Sequence, residues 1–332
     1  KKIGSVAGTV TIPKSDGYQM LLDYWKGNKP KPSMAEATEI LMDLTEQMKI
    51  ENAIIRYDVI DAMFRQVNDK TPKPFKQHTV PGRIFASDFD MGRSGVAYFD
   101  TDSANYHVST SSYTAWNQGW SYRNDGIDIQ VSTDQPVSNG YHVGWTNDGE
   151  WMLYSAQVEQ EGAYQVEVRY ASASAVGKIH IEVDGVDVTG TVQLPATGGW
   201  NTWKSYTIGN VPLKKGTHQI KFYIEKSGFN INYLNFTNPV GLKDVAPRII
   251  NSKTDSGGTA VLLNSNLELD AAGIPAASDF MLTVDGVPAE IESVSLHSVH
   301  GNWLQLKLKK PVYQHSSIRI SYSGTSMKTI YG

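Results

Sequence analysis

The 332-residue chain contains no cysteine, which excludes disulfide bonds and thiolate metal sites. No apolar run approaches the roughly 18 residues that a membrane-spanning helix needs. The 30 Lys and Arg residues form no basic block, so nucleic acid and anionic membranes are poor candidates for the partner. With 40% hydrophobic and 19% charged residues, the composition predicts folded domains rather than a disordered chain.

The motifs of common enzymes are also missing from the sequence. There is no Gly-x-Ser-x-Gly elbow, no phosphate loop ending in Gly-Lys-Ser/Thr and no His-Glu-x-x-His helix. The closest histidine pair, His297 and His300, lacks evident further metal ligands. A carboxylate pair across a cleft would suit glycoside cleavage, and the many acidic residues leave this open. Glu150 is the best single candidate, but a hydrogen-bonding strand residue is its simpler interpretation.

Residues 1–70 predict a short α-helical segment. Ser33 and Glu36 have the spacing of a capping box, in which each side chain satisfies a free backbone donor at the start of a helix. Apolar residues then recur at helical spacing, and a further helix is predicted over residues 51–66. The apolar faces of these helices must pack on each other, on the next module or on a missing domain. Residues 71–83 contain three prolines and predict a linker.

The remainder of the chain predicts a mainly β protein. In residues 84–238, apolar and polar residues alternate in short runs between Gly, Asn and Asp turns, a pattern typical of an antiparallel sandwich. Residues 239–247 predict a second linker. Residues 248–332 again alternate in short runs, and their number suits a small immunoglobulin-like β-sandwich.

Aromatic residues concentrate in three loop segments, 120–129, 194–203 and 228–236. Trp200 follows two glycines at a point where the backbone must turn sharply, so we expect its ring to project. Sugars present flat C–H faces that lie on aromatic rings and hydroxyl groups that bond to amides and carboxylates. An aromatic pair together with an amide therefore suits a sugar ligand.

Residues 84–238 resemble a family 6 carbohydrate-binding module. The matching segments follow one another in the family's order and are residues 95–101, 122–131, 140–151, 197–203 and 229–232. The resemblance implies a β-jelly-roll sandwich that binds xylan, β-glucans or related chains and performs no chemistry. The partner it implies is thus a β-linked polysaccharide or oligosaccharide.

The resemblance also implies the residues of the binding site. Tyr122 and Trp200 would clamp a sugar ring between them, and Asn230 would hydrogen-bond it. Some members of the family have a second site on the concave face of the sheet, to which Trp145 and Glu150 could belong.

One departure from the family concerns its structural calcium ion. Members often begin their first strand with Glu-Ala-Glu, where this chain has Phe85-Ala86-Ser87, and an Asp is common at the position of Asn232. A calcium site that loses its carboxylates loses most of its affinity. We therefore expect the calcium to be weakened or absent, and we expect no other cofactor.

The flanking segments carry further resemblances. Residues 248–332 resemble small β-sandwich appendages of bacterial secreted enzymes, and residues 1–70 resemble the C-terminal end of a family 5 glycoside hydrolase barrel. We therefore expect a secreted or cell-surface protein that is the C-terminal part of an endoglucanase-like hydrolase and lacks its catalytic residues. Two alternatives remain: a hydrolase with an unrecognised carboxylate pair, and an adhesion or spacer protein.

Overall fold

The computed structural model describes residues 2–3, 9–101, 122–123 and 125–332. Part of the predicted aromatic segment 120–129, namely residues 120, 121 and 124, lies outside the described residues. Within the described part, strands dominate and α-helices are confined to the first 64 residues. The predicted mainly β fold is thereby confirmed. No helix in the described ranges is long and apolar enough to cross a membrane.

The N-terminal segment combines helices with a small sheet. Its elements are α1 (Asp16–Trp25), α2 (Met34–Gln47), α3 (Tyr57–Phe64), β1 (Lys2–Ile3), β2 (Val10–Ile12) and β3 (Ile54–Ile55). The predicted capping box is present, because Ser33 accepts a hydrogen bond from the Glu36 amide while the Glu36 carboxylate accepts one from the Ser33 amide. The helix predicted over residues 51–66 is shorter, since the β-branched pair in β3 joins β2 and leaves α3 to begin at Tyr57.

The predicted linker over residues 71–83 contains part of the following sandwich. Strand β4 (His78–Val80) pairs in parallel with β9 (Trp151–Val158), and the side chains of His78 and Val80 are buried. This pairing depends on a strand 78 residues away, so no local pattern in a proline-rich segment could indicate it.

The middle of the chain is a two-sheet β-sandwich. One sheet has the order β14-β10-β16-β8-β7 with β5 beside β16, and the other has the order β12-β11-β15-β9-β4 with β13 beside β11 and β6 beside β9. The strands not yet bounded are β5 (Gly82–Phe85), β6 (Tyr98–Phe99), β7 (Ile129–Val131), β8 (Tyr141–Val143), β10 (Gly162–Ala171), β11 (Lys178–Val183), β12 (Val186–Asp187), β13 (Val192–Gln193), β14 (Trp203–Leu213), β15 (Gly216–Lys226) and β16 (Asn230–Val240).

The core of this sandwich lies between the two sheets. Alternate residues of β10, such as Tyr164, Val166 and Val168, face residues of β15, such as Ile220 and Phe222, and all five are fully buried. Because side chains alternate across a strand, the intervening residues lie on the outer faces of the sheets. The sites described below lie on one such outer face and in the loops at its end.

The C-terminal segment forms a second, smaller β domain. Its sheets have the orders β17-β18-β22-β21 and β20-β19-β23 and enclose a core that includes Leu263, Leu282 and Leu304. The strands are β17 (Ile249–Thr254), β18 (Ala260–Ser265), β19 (Phe280–Val284), β20 (Val287–Pro288), β21 (Ile291–Leu296), β22 (Trp303–Leu308) and β23 (Ile318–Tyr322). Its assignment as immunoglobulin-like stays a prediction.

The two β domains contact each other directly. Asn251 Nδ2 donates to the Asp187 carboxylate over 2.9 Å, and Asn264 Nδ2 donates to the Asp187 carbonyl oxygen over 2.8 Å. Gly190 has φ +68°, and a Cβ atom there would lie 2.4 Å from the Ile250 carbonyl oxygen, so only glycine allows this approach. The predicted linker over 239–247 is thus packed between the domains, with Leu242 and Val245 buried.

Candidate functional site

Asn230 lies where two loops meet at one end of the sandwich. It begins strand β16, beside Ala171 on β10 and next to the end of β8. Its side-chain nitrogen donates a 2.8 Å hydrogen bond to the carbonyl oxygen of Trp200. On the other side lies Gly144, where a Cβ atom would come within 2.8 Å of Asn230 Oδ1. The amide thus holds the Trp200 loop and lies directly against the chain that leads to Trp145.

The loop that carries Trp200 is anchored to the sandwich at its base. Thr197 Oγ1 accepts a hydrogen bond from the Ser172 amide at 2.7 Å and donates to the Ser172 carbonyl at 2.9 Å. Gly198 then adopts φ +106°, and the amide of Thr202 closes a turn on the Gly199 carbonyl. The chain between these points projects Trp200, whose side chain is 52% exposed. The ring is exposed as the double glycine predicts.

Trp145 is held against the same part of β16. Its neighbour Gly144 is in contact range of Asn230, and its other neighbour, Thr146, donates to the Phe229 carbonyl over 3.4 Å. Trp145 itself adopts φ +47°, a left-handed conformation that a large side chain rarely takes, and remains 41% exposed. The strained backbone therefore directs an exposed indole from a loop that is fixed to Phe229 and Asn230.

The amide of Asn230 keeps one hydrogen-bonding atom for a ligand. The residue is only 9% exposed, and its nitrogen is committed to Trp200. Within the described ranges, no group donates a hydrogen bond to its Oδ1 atom. An acceptor between two loops with exposed indoles can bind a hydroxyl group while the rings pack on apolar faces. This arrangement suits an amphipathic ligand of the size of a sugar ring.

Tyr122 has a different set of contacts. Its ring stacks on Tyr141 with a 4.5 Å centroid separation and meets the edge of Phe75 at 5.8 Å. Its hydroxyl donates to the Asp88 carboxylate, and burial, reinforced by that negative charge, raises the pKa of Tyr122. Arg56 donates to its carbonyl oxygen. The structure thus joins Trp200 to Asn230 and places the Tyr122 ring in a cluster with Tyr141 and Phe75.

Glu150 braces the Trp145 loop from within. Its side chain is 4% exposed and accepts hydrogen bonds from the Thr101 amide at 3.0 Å and the Thr101 hydroxyl at 2.7 Å. It also accepts one from the Asn147 amide at 2.8 Å. A carboxylate with these partners ties two loops together. The role predicted for Glu150 in a second binding site stays a prediction.

Asn232 and Ser87, the residues at the expected calcium position, form hydrogen bonds with other side chains. Asn232 donates to Asp134 at 2.8 Å, and Asp134 also receives two hydrogen bonds from Arg169 at 2.7 and 2.8 Å. Burial pushes the pKa of Asp134 upward, but the Arg169 and Asn232 hydrogen bonds outweigh it and hold the pKa below its ordinary value. Ser87 Oγ accepts a hydrogen bond from Asn139. No group of three His, Asp or Glu side chains in the described ranges is arranged to hold a metal ion.

Trp145 and Asn230 are predicted in two different sites from the sequence, but the segments that carry them lie close together in the structure. The signal that would have joined them is Gly144, because a residue without a side chain before an exposed aromatic ring indicates a close approach of another chain segment. The partner in that approach lies about 85 residues further on, and nothing local identifies it.

The comparisons with known proteins concern this same part of the chain. Residues 118–238 match the model of the family "Carbohydrate binding module (family 6)". The clotting factor G alpha subunit of Tachypleus tridentatus is 31% identical over 132 residues, which are 39% of this chain and 19% of that protein. The chain spans less than a fifth of the length of the curated relatives it matches.

Two solved structures of family 6 modules are also similar to this chain. A carbohydrate-binding module of Cellvibrio mixtus lichenase 5A, solved in complex with cellotriose, is 30% identical, with 35% of this chain and 88% of that chain covered and a TM-score of 0.31. A β-1,3-glucan binding module of family 6 from Bacillus halodurans is 27% identical, with 49% and 100% covered and a TM-score of 0.34. The match to the family model confirms the module predicted in the middle of the chain. The resemblances of the flanking segments stay predictions.

Proposed function

Since the chain contains a family 6 carbohydrate-binding module, which is a non-catalytic binding domain, we propose that it binds polysaccharide through Trp200, Trp145 and Asn230. The observation that carries this proposal is the position of Asn230. Its nitrogen holds the Trp200 loop, its oxygen has no partner among the described residues, and Gly144 gives the Trp145 loop its close approach.

The chemistry of these three side chains matches a sugar ring. The apolar C–H face of a pyranose packs on an exposed indole, where it displaces water from an aromatic surface. A ring hydroxyl then donates to Asn230 Oδ1, and because that amide is buried, the hydrogen bond forms with little competition from solvent. Both contributions are needed, since the ring alone gives affinity and the amide gives orientation.

The second aromatic ring of the site is the point on which sequence and geometry differ. The family resemblance predicts Tyr122, whereas the contacts around Asn230 favour Trp145. The hydroxyl of Tyr122 is bonded to Asp88 and its ring is stacked on Tyr141. We therefore assign the second ring to Trp145, and the clamp role of Tyr122 stays a prediction for mutagenesis.

The proposed ligand is a β-linked glucan of the cellulose type, with xylan as the next candidate. Support comes from the Cellvibrio mixtus module, which was solved with cellotriose, and from the Bacillus halodurans module, which is described as binding β-1,3-glucan. A laminarin-type chain therefore belongs in the same test.

The proposed role of this binding is to target a glycoside hydrolase of the same polypeptide to its substrate, outside the cell or at its surface. A tethered binding module raises the effective concentration of an enzyme on an insoluble chain. The N-terminal segment supports this proposal because it exposes Met34, Met42 and Phe64, which are 82%, 64% and 69% accessible. Such side chains on α2 and α3 suit packing against a catalytic barrel.

Isothermal titration of the chain with cello-, xylo- and laminari-oligosaccharides tests the proposal. We expect saturable binding to at least one of the three and no release of reducing sugar from the corresponding polysaccharide. Reducing-sugar release by the purified chain would instead favour a hydrolase with an unrecognised carboxylate pair. The absence of binding to all three would favour an adhesion or spacer protein.

A further inference from the structure

A buried histidine without hydrogen bonds lies beneath the proposed sugar-binding loop. His142 on β8 is 1% exposed, and neither of its ring nitrogens has a partner in the described part of the chain. Asn232 on β16 is fully buried, and its Oδ1 atom is equally unpaired. Because Val143 pairs with Ile231, His142 and Asn232 are cross-strand neighbours on the outer face of the sheet.

The cover over this face comes from the segment that carries Trp200. The ring of Trp203 meets the His142 ring edge-on, with a centroid separation of 5.1 Å and an interplanar angle of 66°. Trp203 Nε1 donates to Thr133 Oγ1 over 3.0 Å, and that hydroxyl bonds to the side chain of Asn201 over 3.1 Å. Trp200 is therefore the exposed tip of a loop that ends at Trp203, whose ring packs against the imidazole.

The surroundings of His142 suit its neutral form only. Burial lowers the pKa of His142 to about 4, and the negative charge of Asp134 only partly opposes this. Asp134 already accepts hydrogen bonds from Arg169 and Asn232, so its negative charge is largely balanced by Arg169 and does little to stabilise a charged imidazole. The other groups facing the imidazole are the uncharged side chains of Trp203 and of Gln130, the cross-strand neighbour on β7.

We propose that neutral His142 is a positioning residue that supports the Trp200 loop, and that its protonation displaces this loop and weakens sugar binding. The inference rests on the proposed function of Trp200. A charge on His142 must reach water, and the strands on either side of it are fixed by their ladder hydrogen bonds. The cover consists of the 199–202 turn and the side chain of Trp203, the first residue of the edge strand β14, and it is the part of the structure that can move away.

The direction of the pH effect follows from the two pKa values. When the Trp200 loop is displaced from His142 (the open loop), the pKa of the imidazole is the ordinary value of about 6.5. When the loop covers His142 (the closed loop), the pKa is about 4. The closed loop is therefore fully favoured above pH 6.5, and its population relative to the open loop decreases as the pH falls toward 4. At pH 4.5 these values reduce the ratio of closed to open loop by up to about 80-fold.

The test is the pH dependence of oligosaccharide affinity in wild type and in His142→Gln. We expect the wild-type affinity to fall between pH 7 and pH 4.5 by at least about threefold, within the limit of about 80-fold. His142→Gln should show no such fall, because glutamine is uncharged at both values. His300→Gln, at an exposed position of the C-terminal domain, is the control and should behave as wild type. His142→Asn replaces the glutamine variant if the latter does not fold.

A second readout does not depend on sugar. The indole N–H resonance of Trp203, assigned with Trp203→Phe, should move toward its solvent-exposed position at pH 4.5 in wild type and stay in place in His142→Gln. A wild-type affinity or Trp203 resonance that does not change with pH would overturn the inference, as would an equal change in His142→Gln. Failure of wild type to bind any sugar at pH 7 would overturn the proposed function instead, and the Trp203 resonance would still decide the role of His142.

Discussion

The side-chain nitrogen of Asn230 donates a 2.8 Å hydrogen bond to the backbone carbonyl oxygen of Trp200. This bond joins the first residue of a central strand to the tip of a surface loop, and so it places Trp200, the most exposed tryptophan among the described residues of the sandwich, beside a buried amide oxygen. The geometry of the proposed site depends on it.

Replacement of Asn230 tests this relationship. Asn230→Ala removes both the bond that holds the Trp200 loop and the oxygen that accepts a sugar hydroxyl, so we expect affinity to fall about tenfold or more, or about 1.4 kcal/mol. Titration calorimetry measures the effect, and circular dichroism checks the fold. Asn235→Ala, further along the same strand, should bind as wild type, and an equal loss there would mean that the strand and not the site is affected.

Three variants decide which ring faces Trp200 across the site. Trp145→Ala removes an exposed indole and should weaken sugar binding by about tenfold. Tyr122→Phe removes only the hydroxyl bonded to Asp88, and we expect normal affinity with a free energy of unfolding about 1 kcal/mol lower. Since Tyr122→Phe keeps the ring, Tyr122→Leu completes the set. Lost binding in Tyr122→Leu with normal binding in Trp145→Ala would restore the clamp predicted from the family.

The role of Glu150 is expected to be structural. Glu150→Ala leaves the backbone amides of Thr101 and Asn147 without their buried acceptor, so we expect the free energy of unfolding to fall by about 3 kcal/mol in urea denaturation. Exposed Glu159 provides the matched control, for which Glu159→Ala should change stability by less than about 0.5 kcal/mol. Full stability of Glu150→Ala would show that the carboxylate does not brace the loop.

Calcium is expected to have little effect on the stability of the sandwich. Asn232 and Ser87 stand where the family has carboxylates, and Asp134 is already neutralised by Arg169. We expect melting temperatures in EDTA and in millimolar calcium to agree within about 1 °C, since an ion that does not bind the folded state cannot stabilise it. A melting temperature that rises when calcium is added, but not when magnesium is added, would reveal a carboxylate site elsewhere.

Much of the fold follows from local patterns in the sequence. Alternation over residues 162–170 predicts β10, and the spacing of Ser33 and Glu36 predicts the start of α2. Strand β4 could not be predicted in the same way, because it exists through parallel pairing with β9. Ile54 and Ile55 likewise fit a helical pattern in the sequence, but they form strand β3 because they pair with β2.

The candidate site divides in the same manner. The double glycine before Trp200 predicts an exposed ring, and the structure has one. The contact of Gly144 with Asn230 and that of Trp203 with His142 join segments about 60 to 85 residues apart, and no spacing within either segment encodes them. Tyr122 shows the converse, since its family position predicts a clamp while its contacts come from Asp88, Phe75 and Tyr141.

The central claim, that the exposed ring of Trp200 binds sugar, is tested most directly by calorimetric titration of Trp200→Ala with the oligosaccharide that wild type binds best. Trp25→Ala is the matched control, because that indole is 61% exposed on an N-terminal helix. We predict affinity about 30-fold weaker for Trp200→Ala, or about 2 kcal/mol, and wild-type affinity for Trp25→Ala. Wild-type affinity in a folded Trp200→Ala variant would contradict the account.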